Sequence, residues 1–252
     1  MMESVNISIC NQKGGIGKST FTVLLASYLH YNMGHDILVM DCDYPQWSIH
    51  AQRERELEAI ERSDYYKLMM VRQFKATGRK IWPVIRCMPS EALEKEESLL
   101  QSGYRPRIIL YDLPGTVNSE GVLHILSSLD SIFIPLKADK LVMESSLAFA
   151  RSLDRGLVHN KVSRLQSIYL FWTMIDRRER TPLYDQYEEA FARFGLPVMR
   201  THVPARSRFS RELQPGGGPV SRSTLFPADA AFAAECCIAE LCEEICTLCE
   251  TR

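Results

Sequence analysis

The segment Asn11-Gln12-Lys13-Gly14-Gly15-Ile16-Gly17-Lys18-Ser19-Thr20 constrains this chain more than any other. Val5 to Cys10 before it reads as a short buried strand, and Phe21 to Leu29 after it reads as a helix. Strand, glycine loop and helix in that order form the setting that a nucleotide phosphate needs. Glycines let backbone N–H groups close around phosphate oxygens, and the start of the helix adds a dipole that favours anions. In such a loop Lys18 lies along the β- and γ-phosphates and the Ser19 hydroxyl meets Mg²⁺. Gly14, Gly15, Ile16, Gly17 and Thr20 complete the cradle. The general pattern asks for glycine five residues before Gly17, where this chain carries Gln12. A narrower pattern, Lys-Gly-Gly-x-Gly-Lys-Ser/Thr, is met in full.

Elsewhere, apolar runs alternate with helical patterns almost to the end. The strands expected are Ile7–Cys10, Ile37–Asp41, Ile81–Cys87, Ile108–Asp112, Ser131–Leu136, Ser167–Thr173 and Pro197–Thr201. Amphipathic stretches fall at Trp47–Lys75, Ser90–Ser102, Val117–Ser128, Leu141–Leu157 and Leu183–Phe194, with a last helix from about Ala228 to Cys249. Short apolar strands separated by helices indicate a doubly wound α/β fold, a mostly parallel sheet covered on both faces. At 252 residues this is expected to be a single domain spanning 1–252. Ligands in such sheets bind beyond the carboxyl ends of the strands. Asp41-Cys42-Asp43-Tyr44-Pro45-Gln46 and Asp112-Leu113-Pro114-Gly115 stand there. Asp112, ending an apolar strand opposite a phosphate loop, suits a Mg²⁺ held through water, because that ion keeps several waters and takes few protein ligands.

Net charge is −1, but its distribution is uneven. Arg151 to Arg211 holds twelve Lys and Arg against six Asp and Glu, whereas Ser223 to the end holds one Arg against six acids. The basic segment is the part that composition nominates as a polyanion-facing surface. No apolar run reaches the ~18 residues of a membrane span, and the N-terminus lacks a signal pattern, so a cytoplasmic location is expected. Of eight cysteines, Cys10 and Cys42 fall in expected core strands; Cys242, Cys246 and Cys249 recur at helical spacing, suiting core packing rather than metal.

The loop together with these acidic strand ends resembles the deviant Walker A ATPases of the ParA/MinD superfamily, and the likeness runs from Asn6 to the final helix. The resemblance implies an ATPase using ATP and Mg²⁺. Asp41-x-Asp43 is similar to the first switch of that family, implying that Asp43 orients the attacking water while Asp41 supports the Mg²⁺ bound by Ser19 and Asp112. The family usually reads Asp-x-Asp-Pro-Gln; here Tyr44 stands before Pro45 and Gln46, which bears on the switch geometry and the hydrolysis rate. The resemblance further implies that Lys13 crosses a homodimer interface to the partner's nucleotide, so ATP is sandwiched between two copies. Phe171 to Arg177 and His202 to Arg206 resemble the segments that approach adenine, giving Thr173, Met174 and Pro204.

Partition proteins of the ParA type bind DNA nonspecifically as ATP dimers and answer to a ParB-like or other adaptor. That reading nominates Arg206, Arg208, Arg211 and Arg222 for DNA phosphates, with Arg177, Arg178 and Arg180 next. Relatives of the MinD type carry a basic amphipathic C-terminal helix for membranes; this C-terminus is acidic and argues against that role. Cluster-bridging relatives need mid-chain cysteines, and only Cys87 lies between Cys42 and Cys236. The reading reached is a dimerising ParA-type ATPase in plasmid, chromosome or mobile-element partitioning. The alternative is a nucleotide-switched regulator of a conjugation system with very slow hydrolysis and no direct DNA role.

Overall fold

The computed structural model describes residues 4–116, 119–160, 163–176 and 182–250. Six strands form one parallel sheet: β1 Val5–Ile9, β2 Ile37–Asp41, β3 Val84–Arg86, β4 Ile108–Asp112, β5 Ser131–Leu136 and β6 Ser167–Trp172. Their order is β3-β2-β4-β1-β5-β6. Successive side chains of a strand point to opposite faces, and here both faces are apolar. Ile7, Val39, Leu110 and Phe133 enter one core, while Leu38, Met40, Ile109 and Ile132 enter the other.

Nine α-helices are described: α1 Lys18–Tyr31, α2 Ser48–Glu61, α3 Asp64–Thr77, α4 Ala92–Gln101, α5 Glu120–Ser128, α6 Lys140–Leu153, α7 Leu183–Arg193, α8 Ala230–Glu235 and α9 Ile238–Glu250. Phe21 to Leu29 of α1 are almost all buried, because the sheet lies on one side and α9 packs on the other. Residues of α4, α5, α6 and α7 join the second core. Cys242 and Cys246 of α9 sit in the first core, where burial pushes the Cys246 thiol up to about 11.

Four elements depart from the expectation. The stretch Trp47–Lys75 breaks into α2 and α3, because Ser63 takes an extended conformation, φ −130°. The strand expected over Ile81–Cys87 shortens to β3, after Pro83, which has no N–H to donate. Pro197–Thr201 forms one bridge, Val198 beside Leu170. The ladder is interrupted there because the Glu244 carboxylate accepts the N–H groups of Arg200 at 2.8 Å and Thr201 at 2.9 Å, and pairing resumes where the Val203 N–H donates to the Trp172 carbonyl at 2.9 Å. The C-terminal helix divides at Cys237, whose φ of 55° is left-handed. Val117, the expected start of α5, lies outside the described residues.

A buried polar knot ties α2 to a late loop. Glu56 is 1% exposed and accepts hydrogen bonds from Gln52 at 2.8 Å, Ser223 at 3.0 Å and Thr224 through both its N–H, at 2.8 Å, and its hydroxyl, at 2.7 Å. Beside it Arg53 donates to Thr224 and to the Trp82 carbonyl, 4.6 Å above whose ring its guanidinium sits. Burial raises the Glu56 pKa, and these hydrogen bonds pull it back.

Leu110, fully buried between sheet and α1, and Leu141, 69% exposed on α6, make a direct comparison. Leu110→Ala is expected to lower unfolding free energy by about 3 kcal/mol, and Leu141→Ala by less than about 0.5 kcal/mol, in urea denaturation.

Candidate nucleotide-binding site

The glycine loop is fixed at its entrance by Asn11. This buried side chain donates to the Pro135 carbonyl at 3.0 Å and to Ser146 at 2.8 Å, and its Oδ1 accepts the Lys13 N–H at 3.2 Å. Gly15 and Gly17 then adopt left-handed φ of 73° and 95°. A Cβ on Gly17 would also lie 3.1 Å from the Phe21 ring, which meets Phe171 edge-on at 5.4 Å. Among the described residues no side chain caps the start of α1, which leaves its first N–H groups open toward the loop. Gly115 presses against this loop; a Cβ there would sit 3.2 Å from the Gln12 carbonyl and 3.7 Å from Lys18 Nζ. Asn11, Ser146 and Gly115 are supports that motif reading did not single out.

Two carboxylates end neighbouring strands, with Asp41 in register beside Asp112. They are used differently. Asp41 accepts the N–H groups of Ile49 at 3.1 Å and His50 at 2.8 Å through Oδ2, so it holds the first turn of α2, and Oδ1 accepts the Asp43 N–H at 3.4 Å. Asp112 is 0% exposed, and among the described residues neither of its oxygens has a hydrogen-bond partner in good geometry, the Ser19 hydroxyl lying nearby. Burial pushes its pKa up to about 8; the nearby Ser19 hydroxyl pulls it back, Asp41 and Asp43 add to the rise, and Lys18 opposes it. A buried carboxylate with open lone pairs beside a hydroxyl and two further carboxylates suits a divalent cation. Ser19 and Asp112 fit a magnesium ion on this observation.

Asp43 is half-buried. Burial raises its pKa, Lys18 lowers it, and its Oδ2 accepts from Ser48 at 3.4 Å. The extra residue Tyr44 is absorbed in a turn in which the Asp43 carbonyl accepts the N–H groups of Gln46 and Trp47, both at 2.8 Å. Trp47 anchors the turn: its indole donates to the Cys87 carbonyl at 3.2 Å, and the Arg86 guanidinium lies 3.8 Å over its ring. Tyr44, 48% exposed, meets the same ring at 5.2 Å.

A cavity of about 570 Å³ extends from the loop, with Gly15, Gly17, Thr20, Phe21, Met174 and Phe209 in its wall. Of the three residues named for adenine, Met174 lines it. Thr173 is buried and gives both N–H and hydroxyl to the Leu136 carbonyl, at 2.7 and 3.0 Å. Pro204 is buried opposite Ile175, one residue before the cavity-lining Ala205.

The arginines named for DNA divide. Arg206 pairs with Glu235 and lines the cavity. Arg208 pairs with Asp229, donates to Ser221 at 3.0 Å and lies 4.7 Å over Phe232. Arg222 lines the cavity, donating to Thr20 Oγ1 at 2.9 Å and to Glu212 at 3.0 Å. Arg211 is exposed, with no side-chain partner among the described residues. Arg177, Arg178 and Arg180 lie outside the described residues. Lys13 is exposed, and its ammonium engages no group among the described residues. Sequence reading missed Lys137 and Phe209 in the cavity wall and the contact of Arg222 with Thr20, because 202 residues separate that pair and no motif joins them.

A family described as CobQ/CobB/MinD/ParA nucleotide binding domain matches residues 7–220. The chain is 26% identical over 216 residues to the chromosome-partitioning ATPase Soj of Thermus thermophilus, covering 81% of this chain and 82% of that protein. It is 25% identical over 237 residues to the chromosome partitioning protein ParA of Caulobacter vibrioides, covering 85% of each. Among solved structures, a protein described as a plasmid partition protein of Borrelia burgdorferi B31, bound to AMPPNP, superposes with a TM-score of 0.64 at 19% identity, covering 98% of this chain and 99% of that one. Among the described residues, no helix is long and apolar enough to cross a membrane.

Because Asp112 titrates near 8 when folded and near 4 when unfolded, the native state holds the extra proton between those values. Stability of the ligand-free protein should therefore fall as pH rises through that window, by up to about 1.4 kcal/mol per pH unit. In urea denaturation at pH 5 to 8, Asp112→Asn is expected to flatten that slope.

Proposed function

The chain belongs to the CobQ/CobB/MinD/ParA nucleotide-binding family, and on that premise we propose how this ParA-type ATPase works. It binds ATP in the glycine loop, closes into a homodimer around two nucleotides, holds DNA nonspecifically in that state, and lets go after hydrolysis stimulated by an adaptor protein. The observation that carries the catalytic part is Asp112, a fully buried carboxylate with both oxygens open beside the phosphate loop.

In this reading Gly14 to Thr20 wrap the phosphates and Lys18 neutralises the β- and γ-oxygens. Ser19 and Asp112 hold Mg²⁺, whose contribution is to draw charge from the phosphate oxygens. Asp41 keeps α2 and the Asp43 turn in place through its backbone contacts. Asp43, facing Lys18, accepts a hydrogen bond from the attacking water and aims it at the γ-phosphate. The turn anchored by Trp47 favours this reading over the slow-switch alternative, because a positioned carboxylate is what in-line attack requires. The base enters the cavity along Met174 and Phe209, near Pro204, with Thr173 supporting from behind. Lys13, exposed and unengaged, is free to reach the second copy.

DNA phosphates are assigned first to Arg211, the exposed arginine of the four, and then to Arg206, Arg208 and Arg222, whose ion pairs with Glu235, Asp229 and Glu212 would have to open. The partitioning role is supported by the similarity to Soj and ParA.

Lys18→Ala is expected to abolish ATP binding in equilibrium dialysis. Asp43→Ala should keep binding while turnover drops at least about a hundredfold; unchanged turnover would move the water-orienting role elsewhere. Lys13→Ala should remain monomeric with ATP in analytical ultracentrifugation, where wild type dimerises. Arg211→Glu should weaken DNA binding and reduce the salt slope by about 1; an unchanged slope would remove that arginine from the DNA surface.

A further inference from the structure

We propose that Cys42 and Cys87 form a reversible oxidation site in which a disulfide locks the Asp43 turn to the edge of the sheet. The two thiols lie 3.5 Å apart, Sγ to Sγ, and both residues are buried, 0% and 2% exposed. They are juxtaposed by the sheet itself. Asp41 and Arg86 pair across β2 and β3, and the Cys87 N–H donates to the Asp41 carbonyl at 3.1 Å, so the next residues of the two strands come side by side. Neighbouring strands run about 4.8 Å apart, inside the Cα separation that a disulfide accepts. The short Sγ distance shows both side chains turned to one face, so bonding needs the sulfurs to approach by roughly 1.5 Å.

No other use of these thiols is evident in the site. Cys42 stands between Asp41 and Asp43, and the Cys87 carbonyl accepts the indole N–H of Trp47, the anchor of the same turn. A covalent link here would act on both ends of that turn. It would also close a loop containing α2 and α3, since Cys42 and Cys87 are 45 residues apart. By contrast Cys10, also buried at a strand end, has no sulfur neighbour in hydrogen-bond range among the described residues.

The oxidant is a peroxide. One thiol attacks the O–O bond of hydrogen peroxide, giving a sulfenic acid and one water. The second thiol then displaces the sulfenic oxygen as a second water while the S–S bond forms. Two thiols lose two electrons and two protons, and the peroxide is reduced to two waters. A dithiol reductant reverses the step. The control of turnover, unlike the bond itself, rests on the Asp43 reading above.

The test treats the full chain with hydrogen peroxide, blocks remaining thiols, and maps disulfides by mass spectrometry while ATP turnover is followed. The expected result is a Cys42–Cys87 peptide pair lighter by two hydrogens, with turnover lowered on the order of tenfold or more and restored by dithiothreitol. Cys87→Ser and Cys42→Ser should each abolish that peptide pair, and the folded Cys87→Ser protein should keep its turnover under peroxide. Both thiols remaining fully alkylatable after peroxide would overturn the site. A mapped bond with unchanged turnover would overturn the lock. Absence of turnover in the reduced protein would count against the ATPase mechanism, and the mapping would still decide the bond.

Discussion

Two carboxylates side by side in an apolar wall are the constraint around which the rest of this molecule is arranged. Charges so placed are costly unless each finds donors or a cation. Asp41 finds backbone N–H groups and in doing so fixes where α2 begins. Asp112 finds none in good geometry among the described residues, and burial pushes its pKa up to about 8. One is therefore structural and the other is available to a ligand. The sheet register puts the two side by side, and the first turn of α2, seated on Asp41, divides them.

The same economy of donors recurs where distant parts of the chain meet. Glu56 gathers the donors of Ser223 and Thr224, Arg53 reaches the same loop, and Arg222 from that loop reaches Thr20 at the phosphate cradle. Helix α2 and the first turn of α1 are thus joined through one late segment. A displacement of α2 has a polar route to the glycine loop, made of contacts with defined partners and not of loose packing.

The sequence made the glycine loop, most of the alternation of strands and helices, and both acidic strand ends legible. Each is a local pattern: glycines requiring positive φ, apolar runs of strand length, a carboxylate where such a run ends. What stayed hidden depended on partners far away in the chain. Nothing local shows that Glu244 would take the N–H groups of Arg200 and Thr201 and cut short an expected strand. Nothing local shows that Thr173 would turn its hydroxyl to Leu136 while Met174 lines the cavity, or that Arg206 and Arg222 would sit in the cavity wall. The break at Ser63 was a different case: the polar run Glu61-Arg62-Ser63-Asp64, with serine at a helix-start position, is a local signal that a single amphipathic stretch over Trp47–Lys75 passes over.

The truncated edges of the sheet carry one more consequence. On one side β3 has three residues; on the other, beyond β6, the described residues form two isolated bridges, Val198 with Leu170 and Pro204 with Ile175, and between them Glu244 takes the N–H groups of Arg200 and Thr201. A parallel sheet with blunt margins offers little template for another strand. Growth by edge-to-edge addition, the route to open-ended fibres, is disfavoured on both flanks. Any association between copies of this chain would then have to use side chains and bound ligands, contacts that can be made and undone.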